Sequence, residues 1–149
     1  MGIEIGQRIK DLQNDTTTEE QAKPKDEDCP ACDKPSKELV WDSYRQKHRP
    51  PPRIPWDKIV ESTANRGYAR YHPDVGGSLT AQETFERAAW DIGKPSTREK
   101  NYRYAKFPRV IGASDGKETI YVRIECTSPG VIHGHPVTAE EYRRHIGSL

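Results

Sequence analysis

The sequence predicts an α+β domain in which N-terminal helices pack on a small antiparallel β-meander. Between residues 56 and 92 apolar side chains recur at helical spacing, and from about residue 107 onward they alternate, with turn residues between the runs. Helices first and strands afterwards is the order of an α+β chain, not of alternating βα units.

The first helix is expected near 55–65, where Trp56, Ile59, Val60 and Thr63 share a face and Asn65 and Gly67 follow as stop signals. The second is expected at 80–92. Thr80 and Glu83 stand at capping-box spacing, Phe85, Ala88, Ala89 and Ile92 form the apolar face, and Gly93 and Pro95 close it. Next, "FPRVIG" and "ETIYVRIEC" flank "ASDGK" as a hairpin, with Ile120, Val122, Ile124 and Cys126 on one face of its second strand. "TSPG" turns the chain into a third strand, "VIHGHPV", and "TAEEYRRHI" ends the domain as a short helix capped by Thr138.

Composition separates this domain from what precedes it. The 149 residues are 32% hydrophobic and 32% charged, with a mean hydropathy of -0.99, so a core requires the apolar residues to be concentrated. They are concentrated after residue 55. Residues 1–13 read as an N-terminal segment, 14–55 as a polar, Pro-rich linker ending in the stiff spacer "RPPPRIP", and 56–149 as the folded domain. Within the linker, Trp41 and Tyr44 in "LVWDSYRQ" suggest a short helix packing back. Residues 1–49 carry a net charge of -2 and residues 50–149 a net charge of +3. No apolar run approaches the ~20 residues that span a bilayer, and no basic-then-apolar leader opens the chain, so no membrane partner is expected and export would use another route.

Cys29 and Cys32 form a "CPAC" motif and Cys126 stands apart. A structural zinc site would need a second ligand pair at similar spacing, which the sequence lacks.

The chemistry centres on "GVIHGHP". Residues two apart on a strand share a face, so His133 and His135 project side by side with Val131, and Gly134 between them leaves room for a ligand to approach the backbone. Depending on register, the preceding strand supplies Arg123 or Glu125, or Cys126 and Thr127. The segment 94–109 has six Lys and Arg against one acid, with Tyr102, Tyr104 and Phe107 interleaved. Cations that meet phosphates and rings that stack on unpaired bases suit single-stranded RNA, although a solvated loop would have a similar composition. A second basic stretch, 65–77, carries Arg66, Arg70, Tyr71 and His72; His72 is either a general base facing the histidine pair or a turn residue beside Pro73.

These residue types suit RNA cleavage without a metal or other cofactor: one imidazole removes the 2′-hydroxyl proton, another protonates the leaving 5′-oxygen, and cations hold the phosphorane. The expected site is His133 and His135 as the acid/base pair, His72 as a third participant, and Arg109, Arg123, Lys106, Tyr104 and Arg70 as RNA contacts. Two alternatives stand beside it. One is a metal-dependent hydrolase using His-x-His with His72, Glu125 or Cys126 as third ligand; the other is a non-enzymatic immunity or adaptor module.

A polar segment with "DCPACDKP" before a compact domain ending in "GVIHGHP" resembles the C-terminal toxin domains of bacterial polymorphic toxins, those of Rhs, contact-dependent inhibition and type VI secretion effectors. The terminal meander is similar to the ribonuclease superfamily of barnase, EndoU, colicin ribonucleases and RelE, through Gly130, Ile132, His133, Gly134, His135 and Pro136. Members more often carry Thr and Tyr where His133 and His135 stand. The resemblance implies an endoribonuclease acting on RNA, frequently tRNA, in a recipient-cell cytoplasm after delivery by a specialised secretion system, and neutralised by a cognate immunity protein.

Overall fold

The computed structural model describes residues 30–149. The N-terminal segment, the first part of the expected linker and Cys29 lie outside the described residues. Among the described residues the chain is mixed α and β, with four helices and two sheets. In chain order these are β1 (Val40–Trp41), α1 (Trp56–Ser62), β2 (Arg70–Tyr71), α2 (Pro73–Gly76), α3 (Leu79–Ile92), β3 (Lys94–Pro95), β4 (Tyr102–Lys106), β5 (Gly112–Ser114), β6 (Lys117–Thr119), β7 (Tyr121–Thr127), β8 (Val131–Val137) and α4 (Ala139–Ile146). The larger sheet runs β1-β8-β7-β4-β3 and the smaller β2-β5-β6.

Local signals place three elements closely. Helix α3 begins one residue before the expected start because Ser78, not Thr80, caps it: the Ser78 hydroxyl accepts from the Ala81 N–H at 3.0 Å. Strand β8 coincides with "VIHGHPV". Thr138 caps α4 by accepting from the Glu141 N–H at 3.1 Å, and Gly147 closes it at φ 101°.

The strands differ from expectation where partners are distant in sequence. The alternating run after "ASDGK" serves two sheets: β6 pairs with β5 around Asp115-Gly116, and after Ile120 the chain continues as β7 in the larger sheet. "FPRV" is not the partner of β7. That partner is β4, inside the stretch expected to face RNA, with Tyr104 opposite Arg123 and Tyr102 opposite Glu125.

The apolar face of α3 is also rotated. Ala88 and Ile92 are exposed, whereas Gln82, Glu86, Ala89 and Trp90 are buried against the sheet. A carboxyl group can occupy the core because it is surrounded by donors: Tyr71 Oη at 2.6 Å, Trp41 Nε1 at 2.7 Å, Gln82 Nε2 at 3.3 Å and the Gly134 N–H all donate to Glu86.

One of those donors comes from the expected linker. Residues 32–49 are a strap built into the domain: Cys32 is disulfide-bonded to Cys126 on β7, and Ser36 donates twice to the Asp91 carboxylate, at 2.8 and 2.7 Å. Val40–Trp41 is not a helix but an edge strand parallel to β8, with Asp42 N–H donating to Ile132 O at 3.0 Å. The folded unit therefore starts well before Trp56. Beside the open edge of β8 this segment gains ladder hydrogen bonds and half-buries Trp41, which one isolated helical turn would not do, while Val40 stays exposed.

Candidate functional site

The register of β7 and β8 sets Arg123 opposite His135 and Glu125 opposite His133. All four project to the sheet face away from α3. Helix α4 covers one end of that face and the strap covers the other, leaving a cleft of about 420 Å³ between strap and sheet. Tyr44, Lys47 and His48 of the strap, with Tyr68, form the wall opposite the histidines.

The two histidines lie in one cleft and have different surroundings. His135 is bonded at both nitrogens: Nε2 accepts from Arg123 Nη2 at 2.8 Å and Nδ1 donates to Pro136 O at 2.9 Å. Burial first, then the charge of Arg123, pushes its pKa down to about 3, so it is neutral and its lone pair is already used. His48 stacks on it at 4.9 Å, donates from Nδ1 to Ala69 O at 2.7 Å, and is pushed down to about 4, mainly by burial. Neither ring nitrogen of His133 has a hydrogen-bond partner among the described residues. Its Nε2 is 4.0 Å from Glu125 Oε1 and its ring lies flat against Tyr44 at 4.7 Å. Burial lowers its pKa, opposed chiefly by Glu125.

Arg123 is the hub. It donates from Nη1 to Glu141 at 2.8 Å and from Nη2 to Glu125 at 2.7 Å, and its guanidinium lies over Tyr102 at 4.5 Å. Tyr104 donates to the same Glu141 oxygen at 2.7 Å. Strand β7 thus reaches α4 on one side and β8 on the other through one side chain.

The other expected site residues are dispersed. Tyr104 is fully buried under α4, so it supports the site and does not face solvent. Lys106 is exposed at the end of β4, opposite Tyr121. Arg70 donates to the Lys47 and Arg49 carbonyls at 2.8 and 3.0 Å and so fixes the strap from outside the cleft. Arg109 pairs with Asp74 at 3.9 Å, next to His72. His72 itself caps α2, with Nδ1 accepting from the Asp74 N–H at 3.0 Å, and packs on Trp56; it does not line the cleft. Its turn role is the one seen. Gly134 points to the α3 side, where a Cβ would meet Ile124 Cδ1 at 2.4 Å and Arg123 O at 2.6 Å. It permits close packing and leaves no room for a ligand.

Tyr44, Lys47, His48 and Tyr68 were not expected at the site. "SYRQKH" has the same mix of cations and rings as 94–109, and that composition was its only sequence signal. Among the described residues no group of three His, Cys, Asp or Glu is placed to hold a metal ion. Cys126 faces the core within its disulfide, and His72 stands elsewhere. No described helix is long and apolar enough to cross a membrane. No protein-family model, curated protein or solved structure matches the chain.

Proposed function

We propose that the domain is an endoribonuclease that cleaves RNA at a 2′-hydroxyl without a metal, and that it acts as the toxin of an interbacterial effector, with helices first and the β4-β7-β8 meander forming its floor. One observation supports this reading: the His133 imidazole, with no hydrogen bond at either nitrogen among the described residues and Glu125 4.0 Å from its Nε2, lines one cleft with Arg123 and Lys47.

The chemistry follows from the protonation states. His133 is neutral near pH 7 because burial lowers its pKa, so it can take the 2′-proton as the 2′-oxygen attacks phosphorus. The resulting imidazolium lies beside Glu125, which offsets its charge. As the bond from phosphorus to the 5′-oxygen breaks, that oxygen takes a proton from the facing wall, where Lys47 is the cationic donor. The products are a 2′,3′-cyclic phosphate and a 5′-hydroxyl. Both terminal nitrogens of Arg123 are engaged by Glu125, Glu141 and His135, and its buried Nε has no hydrogen-bond partner among the described residues, so it contributes a fixed positive field to the phosphorane and no free fork. His135 holds Arg123 in place; it is a positioning residue, and the proton-transfer role moves to His133. Delivery by a secretion system, tRNA as a target and a cognate immunity protein belong to the same proposal and rest on the resemblance of "DCPACDKP" and "GVIHGHP" alone.

The test is incubation of the whole chain with total RNA, with and without chelator. The parent should cut in both and leave cyclic phosphate ends, and His133→Ala should lose roughly 10²–10⁴-fold in rate. The rate should climb with pH through the lowered His133 value and level off by about pH 7, the profile of a base. Loss of cutting on chelation would transfer the proposal to the metal-dependent His-x-His reading. Absence of cutting in every condition would favour a binding module.

A further inference from the structure

The strap turn that walls the cleft is built in an unusual conformation. Tyr44, Arg45 and Gln46 have φ of 54°, 62° and 58°, three consecutive left-handed residues with no glycine or asparagine among them. Such a run costs roughly 1–2 kcal/mol per residue. It is held by the Tyr44 N–H donating to Asp42 Oδ1 at 2.8 Å, by Arg49 Nη1 donating to Gln46 at 2.6 Å and by Arg70 on the Lys47 carbonyl. Strain of this kind persists where its surroundings over-determine it, and it is concentrated at functional positions.

The turn presents one arrangement to the cleft. His133 stacks on the Tyr44 ring at 4.7 Å, and Lys47 Nζ stands 4.6 Å from the centroid of the same ring. The same ammonium is 4.8 Å from the centroid of Tyr68. Both tyrosines are large exposed aromatics, at 45% and 52%, at the mouth of the cleft. A lysine therefore stands over two rings, in the cleft lined by His133, which has no hydrogen bond at either ring nitrogen among the described residues. At exposed sites a cation–π contact contributes about 0.5–1 kcal/mol, whereas a nucleobase stacked on an aromatic side chain contributes about 1–3 kcal/mol. A flat base wins that competition, and the displaced ammonium stays on a flexible stem beside the phosphate.

We propose that Tyr44 and Tyr68 form a slot for one unpaired nucleobase adjoining the cleaved phosphate, which Lys47 occupies in the absence of RNA and leaves to clamp the phosphate when the base enters. The slot rests on the ribonuclease reading for its substrate, and it restricts that substrate to single-stranded RNA. A paired base has both faces covered and cannot enter.

The experiment measures binding of a 2′-O-methyl oligoribonucleotide, which cannot be cut, to the whole chain by fluorescence anisotropy. Tyr68 is the residue to change, because it is exposed. Tyr68→Ala should weaken binding about 5- to 100-fold and Tyr68→Phe should retain it. An oligonucleotide made abasic at the cleavage position should bind the parent as weakly as the intact one binds Tyr68→Ala, and the two losses should not add. Equal affinities for the parent, Tyr68→Ala and the abasic probe would overturn the slot, as would undiminished binding of a duplex. Base-dependent binding by a chain that cuts no RNA would keep the slot and remove the ribonuclease reading. Cutting that is indifferent to Tyr68 in both rate and binding would do the reverse.

Discussion

The two faces of the β7-β8 ladder are made from alternate residues of the same two strands, and they solve the burial of charge in different ways. The face toward α3 carries Val122, Ile124, Cys126, Ile132 and Gly134 and is closed. Among the described residues, Glu86 beneath it is met by the neutral donors Tyr71, Trp41, Gln82 and the Gly134 N–H, and burial raises its pKa to about 7. The opposite face carries Arg123, Glu125, His133 and His135. There a single cation, Arg123, is paired with two carboxylates, Glu125 and Glu141. Neutral donors suit a group that holds elements together; paired charge suits the face to which we assign the proposed RNA site.

Three substitutions separate these two solutions, in descending order of effect. Arg123→Ala strips both Glu125 and Glu141 of their counter-charge and leaves the His135 nitrogen without a donor. A loss of about 3–5 kcal/mol is expected in denaturant unfolding, the range for breaking a buried pair, and a loss under 1 kcal/mol would mean that the polar face is solvated and not paired. On the closed face, Gly134→Ala drives a methyl group into the Arg123 carbonyl and the Ile124 side chain. That overpacking should cost about 1–3 kcal/mol, and an unchanged unfolding midpoint would show that the two strands are looser than the register implies.

The smallest effect, and the most specific, belongs to Glu86→Gln. A carboxyl raised from 4.5 to about 7 in the folded state binds its proton more tightly there than when unfolded. The folded chain therefore gains most from Glu86 below about pH 4.5 and loses that gain as pH rises through 7. Glu86→Gln cannot ionise, so the decline in stability between those values should flatten, while one lost acceptor costs about 1 kcal/mol at low pH. An unaltered slope, read from urea midpoints at about pH 5 and pH 8, would assign the titration to another group.

The elements read correctly from the sequence are those whose signals lie within a few residues of one another. The Thr138 cap, the alternation of "VIHGHPV" and the Asp115-Gly116 turn each depend on neighbours along the chain, whereas the cap of α3 falls on Ser78 and not on the expected Thr80. The strap was misread because its stabilising partners are remote: Cys126 is 94 residues from Cys32, and Glu86 is 45 from Trp41. Strand β4 was misread because basic residues interleaved with tyrosines suit an exposed loop and a central strand equally. The rotation of α3 followed from Glu86, which enters the core only because Trp41, Tyr71 and Gly134 supply donors there.

The sequence by itself determined that His133 and His135 share a face, because a strand's two-residue period allows nothing else, and it left open which of Arg123, Glu125, Cys126 and Thr127 stand beside them. Only the tertiary structure decided that Arg123 and Glu125 stand opposite them, that His135 is bound at both nitrogens while His133 is not, and that a strap from before the expected domain walls the cleft. Periodicity is a property of the covalent backbone, whereas register, burial and hydrogen-bond partners arise from surfaces that meet only once the chain has closed on itself.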